Sequence, residues 1–401
     1  MKDLFVSNRT RLSEALHGGI VVLSAYTGMQ RGNDTAFKFE QEANFWWLTG
    51  IERADWWVIL DNTRQKTWLV SPEISQSHQI FDGSLDEKEA LAISGADSVV
   101  SEEEGGRLLR DLAKRHSIVY TLGDLPYAEH FGFHINPAQK KMHDLLKRTF
   151  NSVQDCRKDL AKLRAIKQPA EIEAIKKAIR LTTDAFSRVK SQLDEFSYEY
   201  EAEAEFSYLF RRAGAEGHAY DPIVAAGKNA CTLHYTDNSA RLKKRQLLLM
   251  DIGVRNGGYA ADITRTYALG EPTKRQVAVH AAVRQAHEEI IALIQPQLSV
   301  EQYQKDVDRI MSEAMMGLGL MRSAEDEDNF RKYFPHAISH GLGVDVHDSL
   351  GAPKYLQPGM VLTVEPGIYI PEEGIGVRIE DDILVTDKGH SNLSGMLSTD
   401  L

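Results

Sequence analysis

The stretch LLLMDIGVRNGGYAADITRTYALG, from Leu247 to Gly270, decides how the second half of the chain is read. Two strand-like apolar runs flank Asn256 and Gly257, and Asn-Gly between such runs is the strongest local signal for a two-residue hairpin turn. Asp251 and Asp262 fall inside those runs, where aspartate is normally depleted. With Asn256 and Gly257 as the turn, Arg255 faces Gly258 and Asp251 faces Asp262. Directly opposed side chains sit ~4.5–5.5 Å apart. Two carboxylates at ~5 Å in an effective dielectric of ~20 repel by about 3 kcal/mol. Either a shared proton or a bound cation offsets that cost, and a two-metal hydrolytic centre, with ions roughly 3.5–4 Å apart, matches the gap. A three-residue turn that takes in Gly258 slips the register instead and sends the acids to opposite faces. The hairpin alone leaves both readings open.

The rest of the composition narrows the class. A chain of 401 residues is long enough for two or three domains with well-buried cores. It is 42% hydrophobic and 26% charged, as soluble globular proteins are. The net charge of −11 argues against nucleic acid and against an anionic membrane surface as partners. Cys156 and Cys231 are too few for a disulfide framework or a cysteine-rich zinc site. The opening MKDLFVSNRTRLSEALHGG lacks the apolar core of a signal peptide, and no later apolar run approaches ~18 residues. The expectation is a cytoplasmic protein.

The texture of the chain changes at about residue 160. Before it, GGIVVLSAY, WWVILD, KTWLVS and SIVYTLG read as strands, and DEKEALAISG and SEEEGGRLLRDLAKR as helices, which makes 1–160 an α/β domain. The charged, mostly helical stretch from Asn136 to Glu171 reads as a connector. In 161–401, Pro169 stands at a first helical position, followed by the stripe Ile172, Ile175, Ile179, Thr182, Phe186 and Val189 at steps of three and four. Val279, Val283, Ala286, Ile290 and Leu293 repeat that pattern, and Ser299 with Gln302 has capping-box spacing. GMVLTVEPGIYI and GVRIEDDILVT read as strands beside the opening hairpin. Long amphipathic helices set apart from antiparallel strands make this second domain α+β.

Three further stretches hold acids or histidines inside strand-like or glycine-rich patterns. Glu365 ends an apolar run before a Pro-Gly turn. Arg378 and Glu380 alternate onto one face of a strand. FPHAISHGLGVDVHD supplies His336, His340 and His347 around a glycine-rich bend, and His234 lies in CTLHYTDN. Each has a plainer reading alone: a solvated strand end, an exposed same-face pair worth under ~1 kcal/mol, surface or core histidines. His336 and His340 have the i, i+4 spacing of a helical zinc pair, but Ala337 stands where the HExxH motif has its glutamate. Four strand-embedded carboxylates and a histidine cluster within one domain are what change the balance.

In that order, Asp251, Asp262, His340, Glu365 and Glu380 resemble the five-ligand set of the pita-bread metallopeptidases, which include methionine aminopeptidase, aminopeptidase P and prolidase. The matching segments are MDIGVRNGGYAADITRT, PHAISHGLGVDVHD, TVEPGIYI and GVRIEDDILV, and RLSEALHGGIVVLSA with FKFEQEANFWWLTGI resembles the amino-terminal domain of aminopeptidase P and prolidase. The resemblance implies a pita-bread (creatinase/aminopeptidase-like) catalytic domain behind a smaller α/β domain. It implies two divalent metal ions, with Asp262 and Glu380 bridging, Asp251 chelating one ion, and His340 and Glu365 completing the other. Oxygen-rich ligation with one nitrogen suits Mn²⁺, with Zn²⁺, Co²⁺ and Fe²⁺ as competitors. By the same resemblance, Glu365 relays the proton of a metal-bridging hydroxide to the leaving nitrogen. His234 and His347 contact the scissile carbonyl and the tetrahedral intermediate. His336 lines the substrate pocket, and Arg378 orients ligand carboxylates. Tyr369 either supports them or is an ordinary strand aromatic.

Methionine aminopeptidase usually lacks a domain like 1–160. NFWWLTG and SHGLGVDVHD look closer to aminopeptidase P, so the implied function is that of an Xaa-Pro aminopeptidase acting on peptides with proline in second position. Xaa-Pro dipeptidase (prolidase) is the alternative, and a catalytically inactive pita-bread binding module is the remote one. Only 15 residues separate Glu365 from Glu380, which suggests a shortened loop at the pocket edge. The amino-terminal domain is expected to close over substrate or to form an oligomer contact, in a homodimer or homotetramer. Trp46, Trp47, Trp56 and Trp57 form either its aromatic core or an exposed patch.

Overall fold

The computed structural model describes residues 1–123, 132 and 134–401. The chain divides into two compact units, Met1–Leu163 and Arg164–Leu401.

The first unit is built on β1 (Ile20–Ser24), β2 (Trp57–Asp61), β3 (Lys66–Ser71), β4 (Ser98–Ser101), β5 (Ile118–Thr121) and β6 (Ser152–Asp155), in the order β4-β3-β2-β1-β5-β6. β1–β2 and β2–β3 are antiparallel neighbours; β3–β4, β1–β5 and β5–β6 run parallel. β4 and β6 are four residues each, too short to show alternation, and β6 falls inside the stretch read as a connector. That stretch is therefore an edge of this sheet, with the helix Ala138–Thr149 packing Met142 and Leu146 onto Ile20, Val22 and Val119. The tryptophans are core: Trp46 and Trp47, on the helix Ala43–Thr49, are buried, as is Trp56 just before β2, and Trp57 at the start of β2 is half-buried. Phe5 meets Trp46 edge-on with ring centroids 5.4 Å apart. Gly50 ends that helix at φ 69°, a left-handed cap that a side chain would drive into Phe5.

In the second unit, β8 (Ile223–Ala226), β9 (Leu247–Ile252) and β12 (Ile263–Ala268) form one antiparallel sheet, extended by β10 (Val254–Asn256) and β11 (Tyr259–Ala260), with β7 (Gly217–His218) on the far side of β10. β13 (Val361–Val364), β16 (Asp381–Thr386) and β17 (Gly389–Asn392) form another, and β14 (Gly367–Ile370) with β15 (Ile375–Arg378) a hairpin. The helix Pro169–Lys190 begins on Pro169 and buries Ile175, Ile179, Thr182, Phe186 and Val189; Ile172 is half-buried. The helices Lys274–Leu293 and Val300–Gly317 pack Val279, Val283, Ile290, Val307 and Met311 against Val364, Ile368, Val377 and Ile383 of the strands. This is an α+β layer arrangement.

The hairpin register differs from the expected one. Asn256 pairs with Tyr259, and the turn is Gly257-Gly258, at φ 61° and 80°. A type I′ turn needs positive φ at both central residues, so two glycines take it and Asn256 moves into the ladder. The shift is two residues, which preserves the faces. Asp251 stands opposite Thr264, and Asp262 becomes its diagonal neighbour rather than its direct partner. Neither the direct pairing nor the opposite-face slip occurs. Gly253 lets the two chains pinch between the acids, where a Cβ would collide with the Ala261 carbonyl.

The connection from Glu365 to Glu380 is likewise not a pocket-edge loop but the β14–β15 hairpin. Its turn is gripped by Arg275, which donates to both Glu373 oxygens at 2.8 and 2.9 Å, and by Lys332 and Tyr333, each 2.7 Å from Glu372 Oε1.

Candidate metal centre

The expected ligands arrive from separate elements of the second unit. Asp251 is on β9, Asp262 precedes β12, Glu365 follows β13, Glu380 lies between β15 and β16, and His340 precedes Gly341, whose backbone bridges to Leu362. Carboxylate oxygens of Asp251, Asp262 and Glu380 lie within 4.8 Å of one another, and so do ligating atoms of His340, Glu365 and Glu380. Glu380 belongs to both trios. Asp262 joins them from the other side: its Oδ2 is 3.4 Å from His340 Nε2, which is 3.5 Å from Glu365 Oε1. The other ring nitrogen of His340, Nδ1, donates to the Gly341 carbonyl at 3.0 Å, so Nε2 is the atom aimed at the acids.

The electrostatics ask for cations. Burial raises the Asp251, Glu365 and Glu380 carboxyls above their ordinary range. Glu365 reaches about 7 despite opposition from His340 and Arg378, and Glu380 is held well above its ordinary range by burial first and then by the neighbouring Asp262, Glu365 and Asp251. For His340, burial works against the charged form, but Asp262 and Glu365 overcome it and raise the imidazole to about 9. Four converging acids face one guanidinium, that of Arg378, which donates to Asp251 Oδ2 at 2.5 Å. Buried anions without partners are costly, and two divalent cations would neutralise this set. The donor chemistry fits them.

The surrounding side chains fix the ligands. Tyr220 Oη lies 2.5 Å from Asp251 Oδ1 and 2.6 Å from Asp262 Oδ1, spanning the two acids. Thr264, opposite Asp251, donates to Glu380 Oε2 at 2.6 Å and accepts from Arg378 Nε at 3.2 Å. Arg378 Nη1 donates to the Tyr369 hydroxyl at 2.8 Å, and that hydroxyl donates to His336 Nε2 at 2.8 Å, whose Nδ1–H is given to the Ala337 carbonyl. Tyr369 is thus a member of the network. Burial, reinforced by Arg378, pushes His336 down to about 3. The segment from His336 to His340 is irregular, not helical, so the i, i+4 zinc-pair geometry is absent. His347 is edge-on to His340 with ring centroids 4.3 Å apart, and His234 lies near enough to His336 and His347 for its charge to act on both.

Behind the ligands, Arg265 is fully buried on β12. It donates to the carbonyls of Thr264 (2.9 Å) and Glu380 (2.7 Å), to Asp381 Oδ1 (2.7 Å), and to the carbonyls of Leu397 (2.9 Å) and Ser398 (3.1 Å). Tyr220, Thr264, Arg265 and Asp381 carried no expectation. Thr264 and Arg265 alternate on a strand whose acids were already conspicuous, which is a usable signal; Tyr220, in GHAYDP, has none.

With this geometry in hand, comparison with known proteins is specific. The profile of Metallopeptidase family M24 matches residues 173–387, and that of Aminopeptidase P, N-terminal domain, matches residues 5–120. The chain is 32% identical to Xaa-Pro aminopeptidase of Escherichia coli K12, over 97% of this chain and 94% of that one. It is 34% identical to human Xaa-Pro aminopeptidase 3, over 92% and 76%. Among solved structures, Escherichia coli aminopeptidase P with the inhibitor Pro-Leu superposes with a TM-score of 0.86 at 29% identity, covering 100% and 96% of the two chains. Proline aminopeptidase P II from Yersinia pestis gives 0.85 at 31%, covering 100% and 97%. The chain, with its acid-rich centre for divalent metal, belongs to metallopeptidase family M24 and has the pita-bread fold.

Proposed function

We propose that this protein is an Xaa-Pro aminopeptidase, releasing the first residue of peptides whose second residue is proline. The observation that carries the reading is the buried convergence of Asp251, Asp262, His340, Glu365 and Glu380, in a chain that matches relatives named for this activity along nearly its whole length. Asp262 and Glu380 would be the shared ligands, Asp251 would serve one ion, and His340 and Glu365 would serve the other. Four carboxylates and one imidazole favour Mn²⁺. Bound there, two divalent ions supply Lewis acidity and generate a nucleophile from water near neutral pH.

The protein groups divide the remaining work. Glu365 accepts a proton at Oε from the attacking water and returns it to the proline nitrogen as the C–N bond breaks. That nitrogen has no N–H of its own, so the delivered proton makes it a neutral leaving amine. His347 and His234 face the scissile carbonyl and stabilise charge that develops on its oxygen. His336, kept neutral by burial, lines the pocket with Phe334, their rings 5.0 Å apart. Arg378 holds Asp251 in place through its 2.5 Å bond.

The test compares Gly-Pro with a longer Xaa-Pro peptide at saturating Mn²⁺. Turnover of the longer peptide is expected; cleavage of the dipeptide alone would instead identify a prolidase. The same reading makes the protein a cytoplasmic homodimer or homotetramer. Among the described residues no helix is long and apolar enough to cross a membrane. In the first unit, the helix Gln76–Asp82 buries no side chain and leaves Ile80 and Phe81 73% and 82% exposed, which supports a subunit contact there. Sedimentation of the protein with both residues changed to serine checks it.

A further inference from the structure

Glu199 opens the helix Glu199–Arg212 with its side chain fully buried. A buried carboxylate must find partners, and Glu199 finds four. Oε1 accepts from the Ala226 N–H at 2.7 Å and from Asn229 Nδ2 at 3.0 Å; Oε2 accepts from the Tyr235 hydroxyl at 2.8 Å and from the Ala240 N–H at 2.8 Å. The Glu199 N–H in turn donates to the Ala240 carbonyl at 3.0 Å. Every one of these partners belongs to the segment 226–240, and that segment carries His234.

The start of this segment is also anchored from the β14–β15 hairpin, where Cys231 Sγ donates to the Ile375 carbonyl at 3.4 Å and Gly376 lies directly against the Ala230 backbone. β8 ends at Ala226, β9 begins at Leu247, and between them the sole regular element among the described residues is the single 3-10 stretch Gly227–Cys231. On the far side, Asn238, at φ 43°, accepts from the Val224 N–H at 2.9 Å and donates to Glu203 and to the Pro222 carbonyl. Leu233 and Tyr235 pack inward near Tyr369 and Leu249, while His234 between them is exposed. A side chain with that freedom depends on its backbone for direction.

We infer that Glu199 is a positioning residue for His234: it is the template on which the 226–240 segment sets, so that the imidazole stays beside His336 and His347. The inference rests on the reading of His234 as a carbonyl-facing histidine. The chemistry demands a carboxylate, because each oxygen accepts from a backbone N–H. A glutamine would turn its own NH₂ against one of those donors whichever way the amide points.

The experiment is a double-mutant cycle in the full-length, Mn²⁺-loaded enzyme, with kcat and KM on an Xaa-Pro peptide, metal content and melting temperature measured for each protein. His234→Ala is expected to lower kcat by about 10²–10³-fold. Glu199→Gln is expected to lower it by roughly 10- to 100-fold, with KM and metal content unchanged. In the His234→Ala background, Glu199→Gln should cost less than about 2-fold, because the group it positions is gone. An equal loss in both backgrounds overturns the inference and makes Glu199 a general structural residue. An unchanged kcat for His234→Ala alone overturns the reading of His234 itself, and the inference with it. Tyr235→Phe removes one donor and keeps the ring packing. It should show a smaller loss with the same dependence on His234, and it decides the matter if Glu199→Gln does not fold.

Discussion

Stripping the divalent cations should make the stability of the unit Arg164–Leu401 fall as pH rises, because Asp251, Glu365 and Glu380 are all raised by burial, and the share of Glu365 can be sized. Its side chain is 15% exposed, and without cations burial lifts its carboxyl from the ordinary 4.5 to about 7. In the unfolded chain the same group ionises at the ordinary value. Between the two values the folded protein holds a proton that the unfolded chain has released. This contribution is therefore fully present below pH 4.5 and is lost as pH rises through about 7. At about 1.4 kcal/mol per pH unit separating the two values, the loss is about 3 kcal/mol. For a unit of this size that is roughly 6–12 °C of melting temperature, at ~2–4 °C per kcal/mol. His340, raised to about 9, adds a loss of the same sign at higher pH. The assay is thermal unfolding at pH 5 and pH 8 of three samples: chelator-treated wild type, chelator-treated Glu365→Gln and Mn²⁺-loaded wild type. The stripped wild type should lose more between the two pH values than Glu365→Gln does, and Mn²⁺ should abolish the difference. Parallel melting shifts in stripped wild type and Glu365→Gln would refute the reasoning.

Other perturbations separate the parts of the site. Asp262→Asn or Glu380→Gln should lower metal content and kcat together by orders of magnitude, because Glu380 belongs to both trios and Asp262 links its own trio to His340 of the other; metal analysis alongside kinetics checks this, and full activity in either would contradict the shared role. His347→Ala should keep its metal and lose about 10²–10³-fold in kcat, read from steady-state rates on a metal-verified sample. Gly253→Ala should destabilise the unit by about 1–3 kcal/mol or more, since the Cβ meets the unyielding Ala261 backbone; denaturant unfolding measures it.

The fold and the five residues that converge on the candidate metal centre were legible because they are written in local pattern. Acids that break strand alternation, amphipathic helix stripes and a Pro169 start each survive without knowledge of tertiary contacts. The hairpin register was not, because Asn-Gly and Gly-Gly both satisfy a type I′ turn and the choice lies in which pair leaves the better ladder. β4 and β6 were invisible for a different reason: four residues paired on a sheet owe their conformation to neighbours distant in sequence. The exact partners of the ligands escaped for a third. Tyr220 and Glu199 act through hydroxyl and carboxylate groups brought in by a bend and a helix start, where no periodicity points to them. The Glu365–Glu380 spacing was seen but misread, since a short connection can be a hairpin as readily as a trimmed loop.

Arg265 has a consequence for how this protein is handled. Its guanidinium ties the backbone of Glu380, a proposed ligand, to the carbonyls of Leu397 and Ser398. Displacing Leu397 and Ser398 would disturb acceptors that hold the strand carrying Glu380 from behind. Damage at Leu397 and Ser398 should then register first as weakened metal retention, on preparations in which Asp251, Asp262, His340, Glu365 and Glu380 are all intact.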